Sequence, residues 1–216
     1  MSRHTALEHI RRTFYCLCRC ISGTAVTCLS WPRHFNVPDL QQYGGVVLAA
    51  NHQSFLDPVL IGMTLERPIH YLARASLFQP PGFGPLIRAL GAYPLRRGQA
   101  DGAALRQALK IIRREEALLL FPEGTRSTDG TLAPMQPGAA MLAARCDVPL
   151  LPVCIEGAFR AWPRTAILPR PAPVAVQFGS PIHRGEGGID QMNENLTRTI
   201  QDMQQELRQY LHTVRR

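Results

Sequence analysis

Residues 44–58 carry the clearest structural signal in the chain and read GGVVLAANHQSFLDP. The apolar residues from Val46 to Ala50 follow two glycines and predict a short buried strand. The polar residues at 51–54 predict a loop directly after that strand. Asp57 and Pro58 then predict the start of a helix with its body at 59–65, because proline fits the first helical position and leaves the aspartate as the cap.

The same exchange of short apolar strands and helices recurs along the rest of the chain. Three more strands are predicted from apolar runs, at 117–121, at 148–155 with two interrupting prolines, and at 174–178. Three more helices are predicted from apolar residues three or four positions apart, at 102–116 after a cap at Asp101, at 137–145 and at 189–214. This order predicts an α/β domain with a mainly parallel central sheet flanked by helices.

Length and composition indicate one domain with additions at both ends. A chain of 216 residues, 45% of them hydrophobic, is long enough to bury the core of one such domain. We place the domain at residues 35–185. A segment at 1–34 precedes it, and a C-terminal helix at 186–216 is expected to pack on it.

The formal charge of +8 indicates an anionic partner. Nucleic acid attracts such a charge, but the arginines are scattered along the chain, and the sequence has no zinc-finger spacing, RNP-like run or basic segment interleaved with aromatics. We therefore expect no nucleic acid as partner. An anionic phospholipid membrane explains the charge at least as well.

The first part of the chain predicts a helix at a membrane surface. From Leu7 to Trp31, arginines mix with apolar residues at helical spacing, and the stretch ends at an aromatic residue. A helix lying in the membrane interface fits this composition, and so does an amphipathic helix packed on the domain itself. The longest apolar run, Cys20 to Trp31, is shorter than the roughly 20 residues that cross a bilayer. We therefore expect a peripheral or monotopic protein.

The six cysteines indicate a reducing compartment, since they form no Cys-x-x-Cys pair and no cleavable signal peptide is expected before them. Cys16, Cys18 and Cys20 alternate too closely for a zinc site and predict small apolar packing side chains, so we expect no metal. With the N-terminal segment, this places the protein at the cytoplasmic face of the inner cell membrane.

A candidate catalytic pair lies in and after the loop that follows the first predicted strand. His52 stands just beyond the strand end, and Asp57 stands five positions later at the predicted helix start. A neutral histidine can take a proton from an attacking hydroxyl, and a carboxylate can fix its tautomer and stabilise the imidazolium that forms. The alternative is structural, a loop histidine followed by a helix-capping aspartate.

A second polar cluster, with the sequence FPEGTRS, also follows a predicted strand. Because ligands of α/β sheets bind at the carboxyl ends of strands, both clusters are expected to face one cleft. Gly124 permits close backbone approach, Arg126 offers a planar fork suited to phosphate, and Glu123 can accept from a substrate hydroxyl. Thr125 and Ser127 add hydroxyl donors. The alternative is a surface turn with a solvated arginine.

Four short motifs occur in order along the chain: NHQSFLD at 51–57, GAYPLRRG at 91–98, FPEGTRS at 121–127 and VPLLPV at 148–153. In sequence, order and separation they resemble the four motifs of the glycerophospholipid acyltransferases, particularly the bacterial 1-acylglycerol-3-phosphate acyltransferases. The resemblance covers roughly residues 35–182. Four ordered motifs are far more specific than any one of them.

The resemblance implies an O-acyltransferase in which His52 is the general base and Asp57 its partner. The residues that it assigns to acceptor binding are Arg97, which stands before Gly98, and Glu123, Gly124 and Arg126. Arg74 departs from the family pattern, since many relatives carry lysine at that position. Arginine keeps the charge but changes the donor geometry, and we keep Arg74 as a candidate substrate-binding residue.

The implied reaction is direct transfer of a fatty acyl group from acyl-CoA or acyl-ACP to the free hydroxyl of 1-acylglycerol 3-phosphate. No covalent acyl-enzyme is required, since the chain has no Gly-x-Ser-x-Gly motif and no cysteine in a nucleophile motif. The expected partners are membrane phospholipids, a lysophospholipid acceptor, and acyl carrier protein or the coenzyme A thioester. We expect no cofactor beyond the thioester co-substrate.

Two other functions fit parts of the sequence. A related acceptor such as a lyso-ornithine lipid would use the same base and the same thioester. A lipid-binding relative without turnover would act as a membrane or assembly factor. The intact residues His52, Asp57, Glu123 and Arg126 favour an enzyme over that second alternative.

Overall fold

The computed structural model describes residues 3–95 and 102–214, with side chains from residue 13 onward. These ranges contain seven strands, which are β1 (Arg33–Phe35), β2 (Val46–Ala50), β3 (Ile69–Arg74), β4 (Ala92–Leu95), β5 (Ala117–Leu120), β6 (Leu150–Glu156) and β7 (Ala175–Phe178). They also contain seven α-helices, which are α1 (Arg3–Ser30), α2 (Asp57–Gly62), α3 (Phe83–Ala89), α4 (Gly102–Arg113), α5 (Gly138–Cys146), α6 (Ala158–Ala161) and α7 (Gly188–Val214). Short 3-10 helices lie at Leu40–Gln42 and Ala75–Phe78.

The described strands form one sheet in the order β1-β7-β6-β2-β5-β3-β4. Every neighbouring pair is parallel except β6 and β7, which run antiparallel. The predicted α/β fold with a mainly parallel central sheet flanked by helices is therefore confirmed. The division of the chain at 34/35 and at 185/186 stays a prediction.

Strand β2 lies inside the sheet, between β5 and β6, and all five of its residues are buried. Its side chains alternate between two separate cores, with Leu48 in one and Val47 and Ala49 in the other. A strand that is covered on both faces needs apolar residues at every position, which explains the unbroken run Val46 to Ala50.

The helices cover the two faces of the sheet in separate layers. One core packs α2, α6 and Val26 of α1 against the sheet, and α3 contacts α1. We call this side the α1 face. The other core contains the buried side chains of α4, α5 and α7, and we call that side the α7 face. The long C-terminal helix was predicted at 189–214, and the apolar residues that lie three or four positions apart in it are buried, namely Leu196, Ile200, Met203, Leu207 and Leu211.

Helix α1 confirms the helix predicted between Leu7 and Trp31, and it has two different sides. On the inner side, the Tyr15 hydroxyl accepts from the Ile69 backbone N–H at 3.4 Å. The Arg19 guanidinium donates to the Leu65 carbonyl, and Val26 is buried in the core. The outer side exposes apolar side chains, which are Phe14, Leu17 and Ile21. The helix thus packs on the domain and also presents an apolar strip to its surroundings.

Within the described ranges, none of the helices combines the length and the hydropathy that a bilayer-crossing helix needs. The position of α1 at a membrane interface stays a prediction.

The structure differs from the sequence-based prediction in several elements. Asp57 is not the cap of α2, because Leu56 holds the cap position and the carboxylate reaches back to the preceding loop. The strand predicted with two interruptions begins after Pro149 and runs unbroken through Pro152. Asp101, the predicted cap of α4, lies outside the described residues. Strands β1, β3 and β4 were not predicted, since the chain has no long apolar run there.

Candidate active site

The two polar clusters meet at the carboxyl edge of the sheet. Strands β2 and β5 are parallel neighbours, so the residues that follow them leave the sheet side by side. The backbone N–H of Ser127 donates to the His52 carbonyl at 2.7 Å, and the His52 backbone N–H donates to Glu123 Oε1 at 2.6 Å. The two loops are therefore hydrogen-bonded to each other at this edge, and the single cleft between them stays a prediction.

His52 and Asp57 form a close pair. His52 Nδ1 lies 2.7 Å from Asp57 Oδ2, and the aspartate side chain is fully buried while 17% of the histidine side chain is exposed. A carboxylate bonded to Nδ1 holds the proton on that nitrogen and leaves Nε2 as the ring nitrogen that can accept one. The pair therefore has the geometry of a general base with an orienting acid.

The Asp57 carboxylate is fixed by the loop that it follows. Its Oδ2 accepts from the backbone N–H of Gln53 at 2.6 Å and of Ser54 at 2.8 Å, in addition to the histidine. Pro58 at the start of α2 has no N–H to offer, which favours acceptance from the loop. One carboxylate oxygen thus fixes both the loop backbone and the imidazole.

Two further contacts hold the imidazole and its strand. The His52 ring stacks on Phe121, with ring centroids 4.0 Å apart and planes inclined by 19°. Asn51 continues the sheet with its side chain, because its Oδ1 accepts from the Ile155 N–H at 2.7 Å and its Nδ2 donates to the Ile155 carbonyl at 2.8 Å. The histidine is therefore positioned before any substrate arrives.

Glu123 is a buried carboxylate that clamps two backbone segments together. Its Oε1 accepts from the His52 N–H, and its Oε2 accepts from the Ala133 N–H at 2.9 Å. Burial raises the pKa of Glu123, and the two backbone hydrogen bonds oppose that rise. In this geometry Glu123 positions the catalytic loop, while hydrogen bonding of Glu123 to a substrate hydroxyl stays a prediction.

The turn after Glu123 is more open. Gly124 adopts a φ of +67°, which favours glycine, and both Gly124 and Thr125 are exposed. The Ser127 hydroxyl accepts from the Gly130 N–H at 2.8 Å and donates to Asp129 at 3.2 Å, so it stabilises the backbone at 127–130. Of the two predicted hydroxyl donors, Thr125 is the one that faces outward.

Arg126 is half-buried beside the catalytic loop. Its guanidinium carbon lies 3.5 Å from the centroid of the Phe55 ring, and Phe55 belongs to the same loop as His52. Stacking uses the flat face of the guanidinium and holds its donors in one plane. The contact holds the Arg126 guanidinium against the catalytic loop at the same edge of the sheet, and its binding of an anionic group stays a prediction.

The two other candidate arginines stand differently. Arg74 ends β3 at the same carboxyl edge and is exposed, with β5 between its strand and β2. Arg97 lies outside the described residues. The structure therefore brings His52, Asp57, Glu123 and Arg126 together and places Arg74 at the margin.

A polar network behind the catalytic loop was not found from the sequence. Glu156 Oε2 accepts from Gln53 Nε2 at 3.2 Å, from Gln204 Nε2 at 3.1 Å and from Arg208 Nε at 3.3 Å. The side-chain oxygen Oε1 of Gln53 also accepts from the Phe159 backbone N–H at 3.2 Å. Helix α7 thereby reaches the residue next to His52.

Sequence reasoning also missed the aromatic partners Phe121 and Phe55. The signal available was that each aromatic stands inside one of the quoted motifs, directly after a strand or between His52 and Asp57. For Glu156 and Arg208 the sequence offers no comparable signal, because their separation from Gln53 is more than a hundred residues.

Comparison with known proteins identifies the family. Residues 34–156 match the Acyltransferase family. The chain is 25% identical over 183 residues to a 1-acyl-sn-glycerol-3-phosphate acyltransferase of Bacillus subtilis, which covers 81% of this chain and 89% of that protein. It is 31% identical over 121 residues to the enzyme of the same name from Escherichia coli, covering 55% of this chain and 49% of that protein.

A chloroplast 1-acyl-sn-glycerol-3-phosphate acyltransferase of Brassica napus is 32% identical over 121 residues, covering 54% of this chain. The chain spans 34% of the length of that plant relative. The crystal structure of the 1-acyl-sn-glycerophosphate acyltransferase PlsC from Thermotoga maritima superposes with a TM-score of 0.75 at 25% sequence identity, covering 94% of this chain and 83% of that chain.

The family match includes both loops of the candidate site and the strands that position them. With the matched region covering more than half of the sequence, this chain belongs to the Acyltransferase family.

Proposed function

We propose that this chain transfers a fatty acyl group from an acyl thioester to the free hydroxyl of 1-acylglycerol 3-phosphate and so makes phosphatidate. The observation that carries the proposal is the His52–Asp57 pair, 2.7 Å apart, beside the Arg126 turn at one edge of the sheet. The names of the relatives, 1-acyl-sn-glycerol-3-phosphate acyltransferases, support the same acceptor.

The proposed reaction is one direct transfer. His52 Nε2 takes the proton of the acceptor hydroxyl while the hydroxyl oxygen attacks the thioester carbonyl and forms the new C–O bond. The tetrahedral oxyanion then collapses and breaks the C–S bond. The imidazolium returns its proton to the departing sulfur, and the Asp57 carboxylate stabilises the imidazolium in between.

A cysteine in the strand next to β2 supports a route without a covalent acyl-enzyme. Cys154 lies in β6, next to the strand that carries His52, and its side chain is fully buried. Burial raises the pKa of the Cys154 thiol well above its ordinary value, so the thiolate needed for nucleophilic attack does not form at neutral pH. The acyl group therefore passes to the acceptor without a stop on this residue.

Arg126 is the proposed partner of the acceptor phosphate. A planar guanidinium held on an aromatic ring can pair with two phosphate oxygens at once, which a lysine ammonium cannot do. Because Arg126 contacts Phe55 of the catalytic loop, a phosphate bound there lies close to His52. The family motif adds Arg97 as a second phosphate partner.

The proposed location is the cytoplasmic face of the membrane, with peripheral attachment. The exposed apolar strip of α1 supports contact with the acyl-chain boundary, and the formal charge of +8 supports attraction to anionic headgroups. Removing the whole segment is a poor test, because Val26 and Ser30 of α1 are buried in the domain.

An acyl-transfer assay tests the function directly. Purified protein is given acyl-CoA or acyl-ACP with lysophosphatidate, glycerol 3-phosphate or a lyso-ornithine lipid, and His52→Ala is the blank. We expect phosphatidate from lysophosphatidate with at least one thioester. If only the lyso-ornithine lipid gives a product, that lipid is the acceptor and lysophosphatidate is not. If the protein binds lipid but forms no product, it is a lipid-binding protein and not an enzyme.

A further inference from the structure

The segment between α6 and β7 carries the most exposed large apolar side chains of the described residues. Its residues 163–170 read PRTAILPR and form a loop outside the sheet. Ile167 is 90% exposed and Leu168 is 73% exposed. Two adjacent aliphatic side chains at such exposure have no role in the core of this chain.

The base of the 163–170 loop is well tied. The Trp162 indole N–H donates to the Ala166 carbonyl at 3.1 Å, and the Arg170 backbone N–H donates to the Ala161 carbonyl at 2.7 Å. Farther along, the Ala172 backbone N–H donates to the Leu29 carbonyl of α1 at 3.3 Å. The loop is thus closed at its base, and its apolar residues are held outward.

The same base contacts the catalytic loop. The Ser54 hydroxyl donates to the Trp162 carbonyl at 2.8 Å, and the Phe55 ring lies 5.4 Å from the Trp162 ring, centroid to centroid. Ser54 and Phe55 stand two and three positions after His52. The base of the 163–170 loop is therefore in direct contact with the catalytic loop.

The charged residues that neighbour the loop in the sequence have one sign. Between Glu156 and Glu186 the sequence has four arginines and no acidic residue. Arg164 and Arg170, at the two ends of the loop, are both exposed. An apolar tip flanked by arginines matches an anionic lipid surface, which offers phosphates outside and hydrocarbon inside.

The loop also shares its side of the molecule with other exposed apolar residues. Trp162 and Ala172, which bracket the loop, pack in the core of the α1 face. Large apolar side chains exposed by α1, by α3, by the catalytic loop and by the residue after α1 are Phe14, Leu17, Ile21, Trp31, Phe55, Phe83 and Leu86. By contrast, the α7 face exposes Met141, Ile189 and Val214 among its described residues.

From these contacts and charges we infer that the 163–170 loop is a second membrane-binding element, which inserts Ile167 and Leu168 into an anionic bilayer while Arg164 and Arg170 contact headgroup phosphates. The inference rests on the proposed function in one respect, since insertion beside His52 brings a membrane-embedded acceptor to the base. Attachment then has two points, the outer strip of α1 and this loop.

An acidic carrier protein is the other partner with a matching charge. The observations favour the bilayer, because the two most exposed aliphatic side chains share a face with the apolar strip of α1. A carrier protein would need a surface limited to the site entrance, whereas these apolar residues continue along α1 away from it.

The first experiment locates the loop tip. The chain has two tryptophans, so Trp31→Phe leaves Trp162 as the single one. In that background Leu168→Trp places a reporter on the loop, and Ile189→Trp places one on the α7 face. With phosphatidylglycerol vesicles that carry brominated acyl chains, we expect a blue shift and strong quenching for Leu168→Trp only. Equal spectra for the two reporters would overturn the inference.

The second experiment measures affinity without turnover. Sedimentation with phosphatidylglycerol vesicles compares the full-length Ile167→Ser/Leu168→Ser variant with the Ile189→Ser control, after circular dichroism shows both folded. We expect about tenfold weaker binding for the loop variant and no change for the control. An unchanged affinity of the loop variant would overturn the inference and leave the proposed function standing.

The third experiment links the loop to the acceptor. The loop variant is assayed with lysophosphatidate embedded in vesicles and with a short-chain, monomeric lysophosphatidate, using acyl-CoA and acyl-ACP. We expect a loss of about tenfold with the embedded acceptor and none with the monomeric one. Equal losses on both acceptors, or a loss confined to acyl-ACP, would overturn the inference in favour of local damage or carrier docking.

Discussion

The two loops at the carboxyl edge of the sheet are built in opposite ways. In the catalytic loop after β2, one oxygen of the buried Asp57 carboxylate is hydrogen-bonded to the imidazole and to two backbone N–H groups. In the turn after β5, Gly124 has a left-handed backbone, a Cβ added there would meet nothing within 4 Å, and Thr125 is exposed. The catalytic loop is closed by its own side chains, whereas the turn leaves space.

This difference fits two different tasks. A general base must hold one orientation towards the reacting oxygen, and a buried carboxylate with several donors fixes it. An acceptor site must admit and release a lipid, so it needs open space and a charged group at its border. Arg126 joins the two loops, because it belongs to the open turn and stacks on Phe55 of the closed loop.

The largest expected effect comes from removing the base. His52→Ala should leave a folded protein whose kcat falls between about 10²- and 10⁴-fold, the usual contribution of general acid–base catalysis. The measurement is steady-state kinetics with lysophosphatidate and a saturating thioester, beside His183→Ala as control for an exposed histidine. Near wild-type turnover in folded His52→Ala would disprove the mechanism.

Asp57→Asn should have the second-largest effect on kcat. The amide keeps the shape and can still accept from the loop N–H groups, but it removes the charge that stabilises the imidazolium. We expect a folded protein with kcat reduced by roughly 10²-fold, the lower end of what general acid–base catalysis contributes. Asp202→Asn, on the exposed side of α7, is the control. If Asp57→Asn unfolds instead, its carboxylate matters first for the loop, and circular dichroism separates the two results.

The sequence predicted the interior of this fold better than its edges. Strand β2 was placed with its observed bounds, because a fully buried strand needs a continuous apolar run. The strand predicted at 174–178 begins one residue later and includes the partly buried Gln177. Strands β1, β3 and β4 lie towards the two edges of the sheet and tolerate arginine, histidine and proline, so the composition of these short segments does not distinguish them from loops.

For the site, the sequence predicted which loops meet but not how their side chains bond. His52 and Asp57 pair as expected, because their spacing and the strand end fix them locally. Asp57 was interpreted as a helix cap, and its bonds to the preceding loop depend on a sharp turn that has no sequence marker. The bond from Gln53 to Glu156 joins residues 103 positions apart, so it could emerge only from the fold.

Substitutions of Arg126 test whether the open turn after β5 binds the acceptor phosphate. A charge-assisted contact with a phosphate contributes about 1.5–3 kcal/mol, so Arg126→Ala should lower kcat/KM for lysophosphatidate roughly ten- to a hundredfold. Arg126→Lys should recover only part of this loss, because it lacks the planar fork. The thioester KM should change much less.

The control for Arg126→Ala is Arg145→Ala, which removes an exposed arginine at the end of α5. If Arg126→Ala keeps its efficiency towards lysophosphatidate, the phosphate is bound elsewhere. A zwitterionic acceptor such as a lyso-ornithine lipid would then be the better hypothesis, and the same variant would be assayed with it.

The smallest expected effect comes from the network that joins the two loops from behind. Arg208 Nε donates to Glu156, which also holds Gln53 of the catalytic loop, and Arg208 Nη2 donates to the Gly130 carbonyl at 3.0 Å. Gly130 in turn donates to the Ser127 hydroxyl of the open turn. One side chain on α7 therefore contacts the supports of both loops.

Arg208→Ala should lower kcat by at most about fivefold, because nearly half of this side chain is exposed and ion pairs at such sites contribute about 1 kcal/mol or less. Arg208→Lys should restore one of the two bonds and part of the rate. Arg198→Ala, an exposed arginine ten positions earlier on the same helix, is the control.

The loss caused by Arg208→Ala should be the same whether lysophosphatidate or the thioester is varied, because loosening both loops displaces the base and not one substrate. A change confined to the KM of one substrate would show that Arg208 contacts that substrate. An unchanged rate would show that the buried hydrogen bonds of Asp57 and Glu123 hold the two loops in place without α7.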